Sequence, residues 1–401
     1  MESESAGARH RRYVRAIEGE RLPCAIVDLD AVEANVDVLV APVRRQRKTL
    51  RVASKSLRCP ALIRHVMKRG GETMRGVMTY DAQETAFLVE QGFDDLLLAY
   101  PTVQPDDVAV IAQLAARGAR VSVIVDSPAH LGPLDAAAKV AGTRVPVVID
   151  VDVAYRPLGD RVHLGVRRSP VRTPHDVLEL HTHIMHHEHL QFHGLMAYEA
   201  QIAGVVDDSL PKRAMKRLSR LDVAETRARI VEALRARSGI RPALFNGGGT
   251  GSVLSSSRED ALTEVTAGSG FVCSHLFEGY RGLPLVPAAY FALQVTRVPS
   301  PGFVTCAGGG LVASGQAGVD RLPRPALPEG LALLPLEGAG EVQTPLVVSP
   351  GTQVRVGDPV FFRHAKGGEL AEHFATYLFV RGDRIEARAE TYRGFGRSFL
   401  G

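Results

Sequence analysis

The chain has 401 residues, 45% of them hydrophobic, and a formal charge of +4 from 48 Lys and Arg against 44 Asp and Glu. That apolar fraction supplies a large core and excludes wholesale disorder, and the scattered charge leaves no basic stripe for nucleic acid. Cys24, Cys59, Cys273 and Cys306 lie far apart with no Cys-x-x-Cys pair, which argues against a disulfide framework and fits a reducing compartment. No apolar run approaches the ~18 residues of a membrane span. The first twelve residues lack a signal core, so a cytoplasmic chain is expected.

In chain order, residues 1–12 read as a frayed charged tail and 13–20 as a short helix. Residues 23–30 read as a strand, with Asp30 expected to cap a helix over 31–46. A rhythm then sets in. Apolar runs at 50–54, 76–80, 96–100, 121–126, 145–150, 192–198, 243–247 and 264–268 each end in a polar residue or glycine. Helical patterns between them include 81–91, 106–117, 128–140, 172–189 and 210–238. Eight β/α units over roughly 230 residues have the size of a TIM-type (β/α)8 barrel. A doubly wound open sheet is the rival, because counting units does not prove closure. The runs are apolar throughout, as parallel strands covered on their outer face are. After residue 280 proline and glycine become frequent, and short β-like runs follow at 290–298, 303–306, 345–348, 353–356, 360–363, 377–381 and 384–389. The expected organisation is a tail and helix over 1–22 packing with the C-terminal part, a barrel over 23–280, and a β domain over 281–401.

A closed barrel gathers its strand C-terminal ends at one mouth. The first strand brings Lys55, where a strand stops and a helix over 61–67 begins. The second brings Tyr80 and Asp81, the fourth Asp126, the fifth Asp150 and Asp152, and the sixth Tyr198, Glu199 and Gln201. The seventh ends in Asn246-Gly-Gly-Gly-Thr-Gly251 and the eighth in Ala267-Gly-Ser-Gly-Phe271. A lysine set in an apolar wall can lose its proton and act as an amine nucleophile. Two glycine loops on the last two strands occupy the place where barrels hold a phosphate with backbone N–H groups. Thr250 and Ser269 would add hydroxyl donors, and neither loop has Walker or dinucleotide spacing. A reactive lysine facing a phosphate cradle suggests pyridoxal 5'-phosphate, whose aldehyde condenses with a lysine.

These motifs, with Leu22-Pro-Cys-Ala-Ile-Val-Asp-Leu-Asp30 and Gly194-Leu-Met-Ala-Tyr-Glu-Ala-Gln-Ile-Ala-Gly204, resemble those of the alanine racemase-like, fold-type III pyridoxal-phosphate enzymes. Within that family the chain is most similar to the D-threonine aldolase and D-serine dehydratase branch. The resemblance spans nearly the whole chain and implies a barrel followed by a β domain, in a homodimer. It implies that Lys55 forms the Schiff base and that Gly248, Gly249, Thr250, Gly268, Ser269 and Gly270 surround the phosphate. Asn246 and Tyr198 would lie against the cofactor. Two departures stand out. Many relatives carry an arginine after the fifth strand that contacts the cofactor; in Val162-His-Leu-Gly-Val166 the place is expected for His163, whose charge would follow pH. The branch also binds a divalent metal through a histidine and a second ligand two residues on. Here His364 matches the histidine and Lys366 replaces its partner, and a protonated lysine cannot ligate a metal. Glu369, Glu372 and His373 are near enough in sequence to substitute, which leaves the metal open. The stretch from His181 to His189 reads as a solvated helix face. Arg167-Arg-Ser-Pro170 reads as a helix entry, its arginines alternatively lining the mouth.

The resemblance implies a lyase that cleaves or dehydrates a β-hydroxy-α-amino acid of D configuration, with Lys55 as the base at Cα. His364, directly or through a metal, and Tyr198 are the groups expected at the hydroxyl. A racemase or transaldolase of the same fold, and a non-catalytic cofactor-carrying or regulatory protein, are the alternatives. The expected partners are a small amino-acid substrate and a second copy of the chain, not nucleic acid or a membrane.

Overall fold

The structure, a computed structural model, describes residues 4–400, with Asp160 described by its backbone alone. Nine of its strands form or follow the barrel in sequence. They are β2 (Thr49–Ala53), β3 (Met74–Thr79), β4 (Leu96–Leu98), β5 (Val121–Val125), β6 (Val145–Asp150), the short β7 (Pro157–Asp160), β8 (Leu190–Ala197), β9 (Leu244–Gly247) and β10 (Glu264–Ala267), preceded by β1 (Cys24–Asp28). All but β1 and β7 pair in parallel, and β10 closes on β2. The open-sheet rival is therefore set aside.

The barrel interior is a packed core. Leu97, Ala99, Ile124, Val148, Met196 and Leu244 fill it, and the strands' other faces pack on the helices. Lower in the barrel, Arg51 donates to Glu264 at 2.6 Å and Asp95 at 2.8 Å, and Asn246 donates to Glu264 at 2.7 Å. A buried guanidinium is tolerable there because it is paired twice.

The second sheet contains β11 (Ala289–Ser300), β12 (Phe303–Ala307), β13 (Arg324–Leu327), β14 (Leu331–Leu333), β15 (Gln343–Val348), β16 (Pro359–Arg363), β17 (Thr376–Arg381) and β18 (Arg384–Glu390). Its ninth strand is β1, antiparallel to β11 and parallel to β17. The strand expected to open the barrel region thus belongs to the C-terminal sheet, and the chain crosses to the barrel only through the helix Leu29–Arg45. That helix is capped by Asp28, not Asp30: the Asp28 carboxylate accepts the Ala31 N–H at 3.1 Å. Val32, Val36, Leu39, Val40 and Val43 give it one buried face.

The N-terminal segment also departs from expectation. Residues read as a tail form the helix Ala6–Ala16, with the Ser5 hydroxyl accepting the Ala8 N–H. Its fixed point is Tyr13, whose ring lies 5.3 Å from Tyr290 and 5.6 Å from Phe361, and whose hydroxyl donates to Asp28 at 2.7 Å. The helix over 172–189 is shorter than expected, Pro174–Met185, because Thr173 and Asp176 form a capping box. Along the histidine-rich stretch His181 is buried edge-on against Phe192, so that face is only partly solvated. All four cysteines are free and buried. Among the described residues no helix is long and apolar enough to cross a membrane.

Candidate active site at the barrel mouth

A cavity with about 850 Å³ of empty space, its opening included, lies over the C-terminal ends of the barrel strands. Lys55 reaches it from the one-turn helix Ser54–Ser56 that follows β2. This turn is held from both sides. The Ser54 hydroxyl donates to the Met78 carbonyl at 2.9 Å, and the turn Gly367–Leu370 of the C-terminal part packs directly behind. A Cβ on Gly368 would stand 1.8 Å from the Lys55 carbonyl oxygen, so only glycine permits this approach.

Around Lys55 the cavity wall is aromatic and cationic. The Tyr100 hydroxyl lies 3.3 Å from Lys55 Nζ. Arg168 lies over the rings of Tyr100 and Tyr198, 5.9 and 5.6 Å from their centroids. Burial pushes the Tyr100 phenol up, but the Lys55 and Arg168 charges outweigh it, and the phenol is more acidic than usual. Tyr198 is the opposite case: burial, reinforced by the Glu199 charge, pushes its phenol up to about 12. Asp150, in a small adjoining chamber with Arg168, is pushed up to about 7 by burial and then by the charge of Asp126.

On the Lys55 side of the barrel, where β10 pairs with β2, Gly248, Gly249, Thr250, Gly268 and Ser269 form the wall, with the Thr250 and Ser269 hydroxyls 3.2 Å apart. Beneath them is a hydrogen-bond network centred on Glu199. Glu199 accepts from the Gly248 N–H at 3.0 Å, from Ser252 at 2.7 Å, from Ser256 at 2.5 Å, and from Arg227. Arg227 also donates to Glu259 at 2.8 Å. Burial alone would raise the Glu199 carboxyl, but Arg227 and the hydroxyl donors outweigh it and hold it below the usual carboxylate range. The glycines are sterically required: a Cβ on Gly249 would lie 2.7 Å from the Ala203 methyl, and one on Gly268 2.5 Å from Ser56 Oγ.

The structure places several expected residues differently from expectation. The N–H groups of Gly248, Gly249 and Gly270 do not face the cavity as free donors; they are taken by Glu199, by Ser252 at 3.0 Å and by Thr250 at 2.9 Å. Gly270 is not part of the cavity wall at all. Nor is His163, whose Nε2 lies 3.2 Å from the Val166 carbonyl; the residue facing the cavity from this loop is Arg168. Asn246 lines the cavity and is oriented by Glu264 and Thr266. Glu199, Gln201 and Asp81 turn away from the opening: Glu199 underlies the loop, Gln201 donates to the Val153 carbonyl, and Asp81 caps the helix Ala82–Glu90. Tyr100 was open to sequence reasoning, since the run over 96–100 ends in it, yet the third strand was the one strand end assigned no role.

His364 is 2% exposed and lies outside the cavity wall, its Nδ1 engaged by the Lys366 carbonyl and its Nε2 buried without a partner. The donors around it do not make a metal site. Lys366 Nζ lies 2.8 Å from Ser314 Oγ and 3.6 Å from Glu369, Glu369 also accepts the Ser314 N–H at 2.9 Å, and Glu372 is bound to Arg58. The His373 ring is 6.3 Å from that of His364. Among the described residues no group of three or more His, Cys, Asp and Glu side chains could hold a metal ion. By contrast, the mouth fits a pyridoxal phosphate. It has an amine for an aldehyde, apolar Met78 and Met196 and the Tyr198 ring in its lining, a guanidinium for an anionic oxygen, and a pair of hydroxyls.

A parallel barrel with a lysine at its mouth and a sheet domain behind it defines a class, and the comparisons with known proteins agree. The alanine racemase N-terminal domain model matches residues 27–274, and the chain belongs to that family, which implies pyridoxal phosphate. Over 250 residues the chain is 29% identical to a D-threonine aldolase of Arthrobacter sp, covering 62% of this chain and 60% of that protein. Over 248 residues it is 28% identical to a 3-hydroxy-D-aspartate aldolase of Paracoccus denitrificans (strain Pd 1222), covering 62% and 59%. The match thus spans about three-fifths of these curated relatives. Among solved structures, the D-threonine aldolase from Filomicrobium marinum superposes with a TM-score of 0.79 at 22% identity, over 93% of this chain and 95% of that one. The D-threo-3-hydroxyaspartate dehydratase from Delftia sp. HT23 gives 0.74 at 20% identity, over 94% and 98%. These superpositions carry the fold.

Proposed function

We propose that the protein is a pyridoxal-phosphate-dependent lyase that cleaves or dehydrates a D-configured β-hydroxy-α-amino acid. The carrying observation is Lys55, its amine 3.3 Å from the Tyr100 phenol and in one cavity with the Thr250 and Ser269 hydroxyls. The aldolase and dehydratase names of its relatives support the reaction class. The bound cofactor would supply an electron sink for charge developing at Cα.

The chain's own groups have separable tasks. Lys55 offers the amine that holds the cofactor aldehyde and, once released, carries the proton to or from Cα. Thr250 and Ser269 donate to the phosphate. Arg168 takes the position facing an anionic oxygen, in place of His163. Tyr198, whose phenol stays protonated near neutral pH because it is pushed up to about 12, packs its ring in the site and donates to the substrate hydroxyl. That assignment makes Tyr198 an acid for a leaving hydroxyl rather than a base. His364 is given no step, since it stands outside the wall, and no metal is included, since the surrounding donors do not fit one.

We further read residues 29–280 as the cofactor-binding part, with β1 and residues 281–401 as the second, working as a homodimer in the cytoplasm. The deciding experiment adds pyridoxal phosphate to the purified protein. A bound-cofactor absorbance band absent in Lys55→Ala is expected, followed by turnover of D-threonine, D-serine or 3-hydroxy-D-aspartate to glycine and aldehyde, or to ketoacid and ammonia. No band in the wild type would sink the proposal.

A further inference from the structure

Tyr100 has no task in the chemistry assigned above, yet it is hydrogen-bonded to the reactive amine. Its Oη lies 3.3 Å from Lys55 Nζ. Lys55 Nζ is 5.8 Å and Arg168 Cζ 5.9 Å from its ring centroid. Four groups face it: Lys55 from the turn after β2, Arg168 from the loop after β6, Asp150 from the end of β6, and Tyr198 beyond the end of β8. Two of these are cations. Of the two acids, Tyr198 is pushed up to about 12 by burial and Glu199, and Asp150 up to about 7 by burial and Asp126. Both are therefore harder to ionise than usual. Tyr100 alone moves the other way, because the neighbouring cations outweigh its burial.

We propose that Tyr100 is the proton partner of Lys55, a catalytic residue that takes a proton from the lysine ammonium and gives it back. The proposal rests on the reading of Lys55 as the lysine that condenses with an aldehyde, since only the neutral amine can attack. With Tyr100 as the phenolate, one Nζ–H bond breaks and one Oη–H bond forms, while the electron pair stays on nitrogen. A neutral amine beside a neutral phenol results, and the reverse transfer restores the ammonium. No other reactant is needed, and the net charge of the pair is unchanged.

The test uses the full chain and two readouts other than turnover. Phenolate difference absorbance of the cofactor-free protein reports its nine tyrosines. One is expected to ionise below the usual value of about 10. Tyr100→Phe should remove that step, and Lys55→Ala, which leaves Tyr100 in place, should move it to higher pH. Separately, the rate at which added pyridoxal phosphate develops its bound absorbance should fall by about a hundredfold in Tyr100→Phe, the lower end for acid–base catalysis, with final occupancy retained. A step that survives Tyr100→Phe, a step unmoved by Lys55→Ala, or wild-type loading by Tyr100→Phe would each overturn the assignment. A wild type that never loads defeats the proposed function instead, and the titration still decides whether Tyr100 and Lys55 are paired.

Discussion

The two walls of the cavity are built on opposite principles. Under the Thr250 and Ser269 wall the polar groups are densely paired: Glu199 alone accepts from a backbone N–H, two serines and an arginine, and Arg227 Nε is the buried atom left over. Elsewhere around the cavity, Lys55 and Arg168 meet phenols and aromatic faces. A satisfied buried network is rigid and specifies one geometry, whereas a charge with a weak partner keeps its reactivity. The two tyrosines under Arg168 also differ, with the Tyr198 phenol pushed up and the Tyr100 phenol made more acidic. On the function proposed above, the difference teaches that this barrel would fix the anchor end of its ligand and leave the reacting end loosely paired.

Substitution on the loose side should abolish function and spare the fold. Lys55→Ala is expected to bring turnover to background and erase the bound-cofactor absorbance, with an unfolding midpoint near that of the wild type, because Lys55 is open to the cavity. Substitution on the satisfied side should do the reverse. Glu199→Ala leaves Arg227 with Glu259 as its remaining carboxylate and strips Ser252, Ser256 and the Gly248 N–H of their acceptor. A cost of about 3–5 kcal/mol is expected, measured by denaturant unfolding, together with weaker cofactor loading. Because the folded Glu199 carboxyl lies below its ordinary value, its stabilisation is present above that value and is lost as pH falls through the folded one. The gap between variant and wild type should therefore narrow in acid.

How much of this was legible in the sequence follows from what each element must satisfy. The eight barrel strands could be read because parallel strands buried on both faces leave unbroken apolar runs, and Lys55 because a strand-to-helix junction fixes which end faces the mouth. β1 was misplaced because its residues Cys24 to Asp28 are as fully buried as a barrel strand, and nothing local says that the partners are β11 and β17. Asp28 and Asp30 are equally good capping residues, and only the backbone at the helix start selects Asp28. Arg168 and His163 share one loop whose path is set by tertiary contacts, so the resemblance that pointed to His163 could not show that Arg168 is the one lining the cavity. The glycine loops were correctly placed, but which of their N–H groups stay free depends on Glu199, Ser252 and Thr250, contacts that no motif records.

The boundary between the two walls can be probed at Asp150, which shares its chamber with Arg168 and Tyr198. Its carboxyl is raised from 3.8 to about 7, so the folded protein holds a proton that the unfolded chain has lost. The group's contribution is complete below 3.8 and disappears as pH rises through about 7. Asp150→Asn stays neutral throughout. Its stability relative to wild type should rise between those limits by on the order of 2–4 kcal/mol, read from unfolding curves at several pH values. Glu84, also raised to about 7, is present in both proteins and cancels. A flat difference would mean that Arg168 keeps Asp150 ionised, and the loose wall would then contain an ion pair after all.

The smallest effect is expected behind the cavity, where His364 and Lys366 stand. If a divalent ion organised this region, chelation would loosen the turn Gly367–Leu370 and, through Gly368, the Lys55 turn it packs against. The contacts present are instead Lys366 to Ser314 at 2.8 Å and to Glu369 at 3.6 Å, with the lysine and glutamate side chains 30% and 21% exposed. A partly solvated pair of this kind contributes up to about 1 kcal/mol. Exhaustive chelation of the holoenzyme should leave turnover and melting temperature unchanged, and Lys366→Ala should lower stability by no more than that amount. Lys366→Asp is the sharper arm. It replaces the ammonium with a carboxylate two residues from the unpartnered His364 Nε2, a pairing of ligand types suited to a divalent cation. That variant should gain a metal-dependent rise in melting temperature that the wild type lacks. A chelator-sensitive wild type would show that the donors around His364 rearrange to take a metal, and would move this region from the structural side of the comparison to the reactive one.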